Sequence, residues 1–207
     1  MQAEGRVGPA IAGDGALICE RLDRSGANVS ANAHPMYGES VLRGNMMVAS
    51  NVVAGLAPGT AFSATPPLAL WNPPSSGKNL VVLRAVLGYV SGTIGAGSIC
   101  WGIIPSQTTV PTTGAEMVPV NCMLGFPRGV GRVFAGSTFV AAPTILRPAF
   151  IAGAFLATTA IMPSPCVELV DGEFVVAQGA AIALQGIMAG GSTPITMLGI
   201  TWEEVNA

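Results

Sequence analysis

Charge is what this chain has least of. Only 10% of its 207 residues are Asp, Glu, Lys or Arg, against about 25% in an ordinary soluble domain. With nine basic residues and a net charge of −2, it has no electrostatic footprint along which to hold phosphates, so no direct nucleic-acid partner is expected. Histidine is represented once, by His34, which precedes Pro35 in a polar stretch with no nucleophile motif nearby. Neither a G-x-S-x-G elbow nor an H-E-x-x-H pair occurs. The four cysteines, Cys19, Cys100, Cys122 and Cys166, stand far apart without a C-x-x-C pair. Zinc-ligand spacing is therefore missing, and buried thiols are expected rather than a metal or cofactor site. A spanning apolar run is missing as well. Residues 86–104 are broken by five glycines and residues 148–162 form a short run with a proline near each end, whereas a spanning helix takes roughly 20 predominantly apolar residues. No membrane partner is expected, and the amino terminus lacks the apolar core of a signal peptide.

What is present is apolar and patterned for strands. Half the residues are hydrophobic, with 27 glycines and 16 prolines as punctuation. The stretch 71–104 sets the frame: turn-forming Asn-Pro and Ser-Gly pairs, then a central hairpin of residues 80–90, a Gly/Ser-rich turn, and a second strand up to Ile104. Along 80–90, Val81, Leu83, Ala85, Leu87 and Tyr89 fall on one alternating face and Leu80, Val82, Val86 and Val90 on the other, with Arg84 as the one charge. A strand apolar on both faces predicts cover on both, hence an oligomer with Val82, Arg84 and Val86 near its contacts. The last strand, over 195–204, places Leu198, Ile200 and Trp202 on one face and adds Trp202 to those contacts.

Residues 1–50 differ in kind. Nine of the twenty formal charges lie in the first 43 residues, mixed in sign among Gly, Asn, Ala and Ser, with a short strand at 16–19. An extended arm is expected there, and residues 51–207 are expected to form the globular domain. Residues 46–51 are a strand-like entry to it. Further strands are expected at 60–65, 120–124, 132–140 and 180–188, and a kinked strand or two over 144–162. Asp171-Gly172 predicts a hairpin between 166–170 and 173–177. Many short strands set off by Gly/Pro turns indicate an all-β fold, an antiparallel β-sandwich with an extended N-terminal arm.

Catalytic readings are weak at every place where one can be tried. Ser75-Ser76-Gly77-Lys78-Asn79 fails as a phosphate loop, because Asn72 and Asn79 stand where Gly and Ser/Thr are required. Glu203 and Glu204 are adjacent on a strand, so they point to opposite faces and cannot act as a facing acid/base pair. Glu168, Asp171 and Glu173 flank a turn and read as solvated carboxylates. Trp71, Trp101 and Trp202 read as packing rather than as a carbohydrate platform. Arg128-Gly129-Val130-Gly131-Arg132 reads as a solvated turn, with an anion cradle as the sharper alternative. No acid/base set can be assembled, so an enzyme is not expected.

Residues 37–45 (Tyr-Gly-Glu-Ser-Val-Leu-Arg-Gly-Asn), 70–82 (Leu-Trp-Asn-Pro-Pro-Ser-Ser-Gly-Lys-Asn-Leu-Val-Val), 179–184 and 199–205 together resemble virion structural proteins of tailed bacteriophages. The resemblance implies a jelly-roll-like sandwich, commonly a homotrimer, on the capsid exterior. It implies a cement or decoration protein that binds the major capsid protein and reinforces the shell, assembled in the host cytoplasm with its cysteines reduced. A tail-fibre, spike or head-fibre module that binds a host glycan is the alternative. Tyr37 and Arg43, within the first matching stretch, join the expected shell contacts.

Overall fold

The computed structural model describes residues 36–152, 166–189 and 192–207. The chain divides into two units, Met1–Glu39 and Ser40–Ala207. Of the first, residues 36–39 are described, and they lead into a short helix, α1 (Gly38–Leu42). The predicted strand at 16–19, His34 and Cys19 lie outside the described residues.

The second unit is built of strands: β1 (Met46–Ser50), β2 (Leu68–Trp71), β3 (Lys78–Ser91), β4 (Gly97–Ile104), β5 (Ala115–Met117), β6 (Val120–Asn121), β7 (Arg132–Ala135), β8 (Thr144–Ala152), β9 (Cys166–Leu169), β10 (Val175–Val176), β11 (Ala181–Met188) and β12 (Ile195–Asn206). They form two antiparallel sheets. The front sheet runs β10-β3-β12-β1-β6, with β9 also on β3, and the back sheet runs β5-β7-β2-β11-β4-β8. The pairing is nested. β1 takes β12, β2 takes β11, β3 takes β9 and β10, and β4 takes β8, successive pairs falling alternately in front and back. A chain folded double and rolled so that its successive pairs alternate between two sheets is a jelly roll. β5, β6 and β7, inserted between β4 and β8, extend the sheets at their other edges. Between the sheets lies one continuous core that includes Leu70, Leu80, Ile99, Trp101, Leu198 and Trp202.

Several sequence expectations are met by this frame. Residues 46–51 do enter the globular part as a strand, and β1 pairs through all five of its residues with β12. It therefore belongs to the sandwich although it falls within the stretch 1–50 assigned to the arm. The Asn-Pro/Ser-Gly turn connects β2 in the back sheet to β3 in the front, with Ser75 at φ 61° and Gly77 at φ 71°. Pro148 is tolerated in β8 because that strand is an edge, where a missing N–H costs no ladder bond. The segment 60–65 forms no strand.

Three further expectations need correction. The stretch 80–104 is not a hairpin: β3 and β4 lie in different sheets, and the Gly/Ser-rich link carries the chain across the edge of the sandwich. Asp171-Gly172 is not a hairpin turn either. β9 and β10 both pair with β3, running the same way along it, as Leu87↔Cys166 through Arg84↔Leu169 and then Val81↔Val175 show. The two residues do adopt positive φ, 49° and 88°, but they make a bulged excursion in one continuing edge. Finally, the two-faced apolar pattern of β3 has an internal cause. Between Thr201↔Arg84 and Trp202↔Val82 the register slips by one residue at Leu83. A bulge reverses the alternation, so Leu80, Val82, Ala85 and Leu87 all reach the same core. Full apolarity along this strand does not in itself require a partner.

Candidate interaction surface

The two sheets treat their outer faces differently. Behind the back sheet, Ala69, Trp71, Ile104, Phe134, Phe139, Ala181 and Ala183 form a second small core. Loops close it. The Trp71 indole N–H donates to the Gln107 carbonyl at 2.7 Å, and Gln107, almost wholly buried, accepts from the Val140 N–H through its side chain at 2.9 Å. Beside it, Gln185 donates to the Ala61 carbonyl at 3.1 Å. Phe62 lies so near Gly102 that a Cβ there would sit 2.5 Å from its ring. At the β7 end, Arg132 lies over the rings of Trp71 and Phe134, 5.3 and 5.2 Å from their centroids. It donates two hydrogen bonds to Glu116, and this hydrogen bonding holds the Glu116 carboxyl below its ordinary value.

The front sheet's outer face carries rows of small and apolar side chains. Register sets them: Leu169, Arg84, Thr201, Val48 and Val120 align across five strands. Val167, Val86, Gly199 and Ser50 form the next row, and Val175, Val81, Glu203 and Met46 the row on the other side. Leu169 is 61% exposed, Val167 56%, Val175 53% and Val120 51%. Apolar side chains left open in adjoining rows are the mark of a surface that meets another protein. Two charges stand among them. Arg84 is half-buried, and its Nε donates to Thr201 Oγ1 at 3.2 Å. Among the described residues no carboxylate lies within ion-pairing distance of it. Glu203 is half-buried and accepts from the Ser40 hydroxyl.

The six expected contact residues thus separate. Arg84 and Val86 belong to this face. Val82 and Trp202 do not: both have no exposed surface and their side chains lie in the chain's own core. The bulge at Leu83 accounts for Val82, and strict alternation in β12 turns Trp202 inward. Arg43 is exposed just beyond α1, and Tyr37 lies in the first unit.

Other motifs resolve into structure. Glu203 and Glu204 do point to opposite faces. Glu204, 4% exposed, accepts from the backbone N–H groups of Val130 and Gly131, each at 2.9 Å, and from the Trp202 indole at 3.2 Å. The Arg128–Arg132 loop is therefore an anion cradle whose anion is the chain's own, a partner 73 residues away that spacing does not reveal. A Cβ on Gly129 would fall 2.2 Å from Glu204 Oε1, which is why glycine stands there. Glu168 and Glu173 are not simply solvated: both pair with Arg147 of β8, the Glu173 contact at 2.7 Å. Glu168 also accepts from the Trp101 indole at 3.3 Å, and Arg147 lies 5.2 Å over the Phe174 ring. Trp71, Trp101 and Trp202 are all buried. Among the described residues no group of three or more His, Cys, Asp or Glu side chains is placed to hold a metal. Nor is any helix there long and apolar enough to cross a membrane. Cys100 and Cys122 are thiols, and burial pushes both pKa values up.

Comparison of the chain with protein-family models, with curated proteins and with solved structures yields no match.

Proposed function

We propose that this chain is a structural component of a tailed-bacteriophage particle, a cement or decoration protein that binds the major capsid protein and reinforces the shell from outside. The observation that supports a structural protein working in assembly with other chains is the front sheet's outer face, where Leu169, Val167 and Val175 stand more than half exposed in adjoining rows. The particle assignment rests on the resemblance of residues 37–45, 70–82, 179–184 and 199–205. In this reading the chain is not an enzyme: its carboxylates serve structural pairs, Glu204 with a loop backbone and Glu168 and Glu173 with Arg147. Burial of all three tryptophans favours shell binding over glycan binding, because a sugar platform needs an aromatic face in solvent. Counting the protein in purified particles by quantitative mass spectrometry tests the assignment. A shell protein recurs with lattice symmetry at on the order of hundreds of copies, whereas a fibre or spike recurs about a dozen times. Hundreds are expected, and a dozen or none would overturn the reading.

A further inference from the structure

We propose that the front sheet's outer face binds a second copy of this chain, face to face, with Arg84 of each copy paired to Glu203 of the other. The argument begins with the cation. Arg84 sits half-buried in a row with Leu169, Thr201 and Val48, held by one neutral hydrogen bond and no carboxylate among the described residues. A cation that is partly desolvated without a counter-ion is unfavourable, and an acidic group from outside relieves it. The face itself holds that acid. Glu203 is the one carboxylate in the rows around Arg84, two residues along β12 from Thr201, which stands opposite Arg84.

On strands about 5 Å apart with a rise of about 3.4 Å per residue, the two charges are separated by roughly 5 Å across and about 7 Å along the sheet. A two-fold axis in the plane of contact, bisecting that separation, lays each Arg84 over the other copy's Glu203. Both ion pairs then form at once. This is an isologous contact, in which one patch is its own complement. A ring of three uses two different patches per subunit, so the face points to pairs where the phage resemblance implies threes. Leu169, Val167 and Val175 supply the apolar area around the charges, and the back sheet competes less because its loops already cover it. The inference does not depend on the particle reading.

Charge reversal in the full-length chain decides it. Wild type should be a dimer by sedimentation velocity. R84E and E203R, each folded by circular dichroism, should each raise the dimer dissociation constant by about 100-fold or more, since both pairs become repulsive together. Mixing the two variants should restore association as a heterodimer, because every contact is then Glu against Arg. If either variant fails to fold, L169D at an exposed position should weaken association alone. A monomeric wild type, a trimer, single variants that associate as wild type does, or a mixture that stays monomeric would each overturn the proposal.

Discussion

Glu204 shows what a single carboxylate does in a chain this short of charge. Three N–H donors converge on it, two from the Arg128–Arg132 loop and one from Trp202. Hydrogen bonds to a charged acceptor are about twice as strong as neutral ones, so this contact pins an otherwise exposed loop to β12. Glu204→Gln keeps the shape but turns an NH2 group toward a backbone N–H. It should lower unfolding free energy by about 1–3 kcal/mol in urea titration, with Gly129→Ala acting in the same direction by displacing the carboxylate. Stability within about 0.5 kcal/mol of wild type for both would contradict this role. The opposed directions of Glu203 and Glu204 were legible in the sequence, because strand alternation has a period of two. The cradle's occupant was not, since it depends on a loop brought from elsewhere in the chain.

Among elements, β3 organises the front sheet, though not for the reason its composition suggests. Alternation counted straight through residues 80–90 assigns Val82 and Ala85 to opposite faces, while one extra residue at Leu83 returns both to the core. Bulges leave little sequence signature, and that is why the strand's existence was readable and its faces were not. The neighbouring edge depends on ion pairing. Arg147 of β8 in the back sheet reaches Glu168 in β9 and Glu173 in the excursion before β10, both along the front sheet, and so fastens the two sheets where the sandwich closes. Hydrogen bonding to Glu173 and Glu168 raises the Arg147 pKa. Arg147→Ala leaves Glu168, whose Oε2 is already buried without a hydrogen bond, with the Trp101 indole as its remaining side-chain donor among the described residues. Loss of about 1–3 kcal/mol is expected, with faster amide exchange in β8 and β9. Unchanged exchange along both strands would show that the clasp does not hold the edge.

For the whole molecule, the all-β sandwich followed from short apolar runs between Gly/Pro turns, and of the twelve described strands all but β2 and β5 fall in segments where strands were expected. The nested pairing was beyond local patterning, because which strand meets which is set by contacts more than a hundred residues apart, as between β1 and β12. That pairing is what produces the asymmetry of the outer faces: a back sheet roofed by loops and a front sheet with apolar side chains open along its β9, β10 and β6 edges, Thr201 and Met46 between them being buried. The central claim is that this open face is where the molecule meets other protein chains. A density map of the proposed phage particle, at a resolution that separates strands, tests it most directly. The account predicts the jelly roll on the outer shell with Leu169, Arg84 and Val120 against protein density. A sandwich whose front face looks into solvent while its back-sheet loops make the contacts would contradict it.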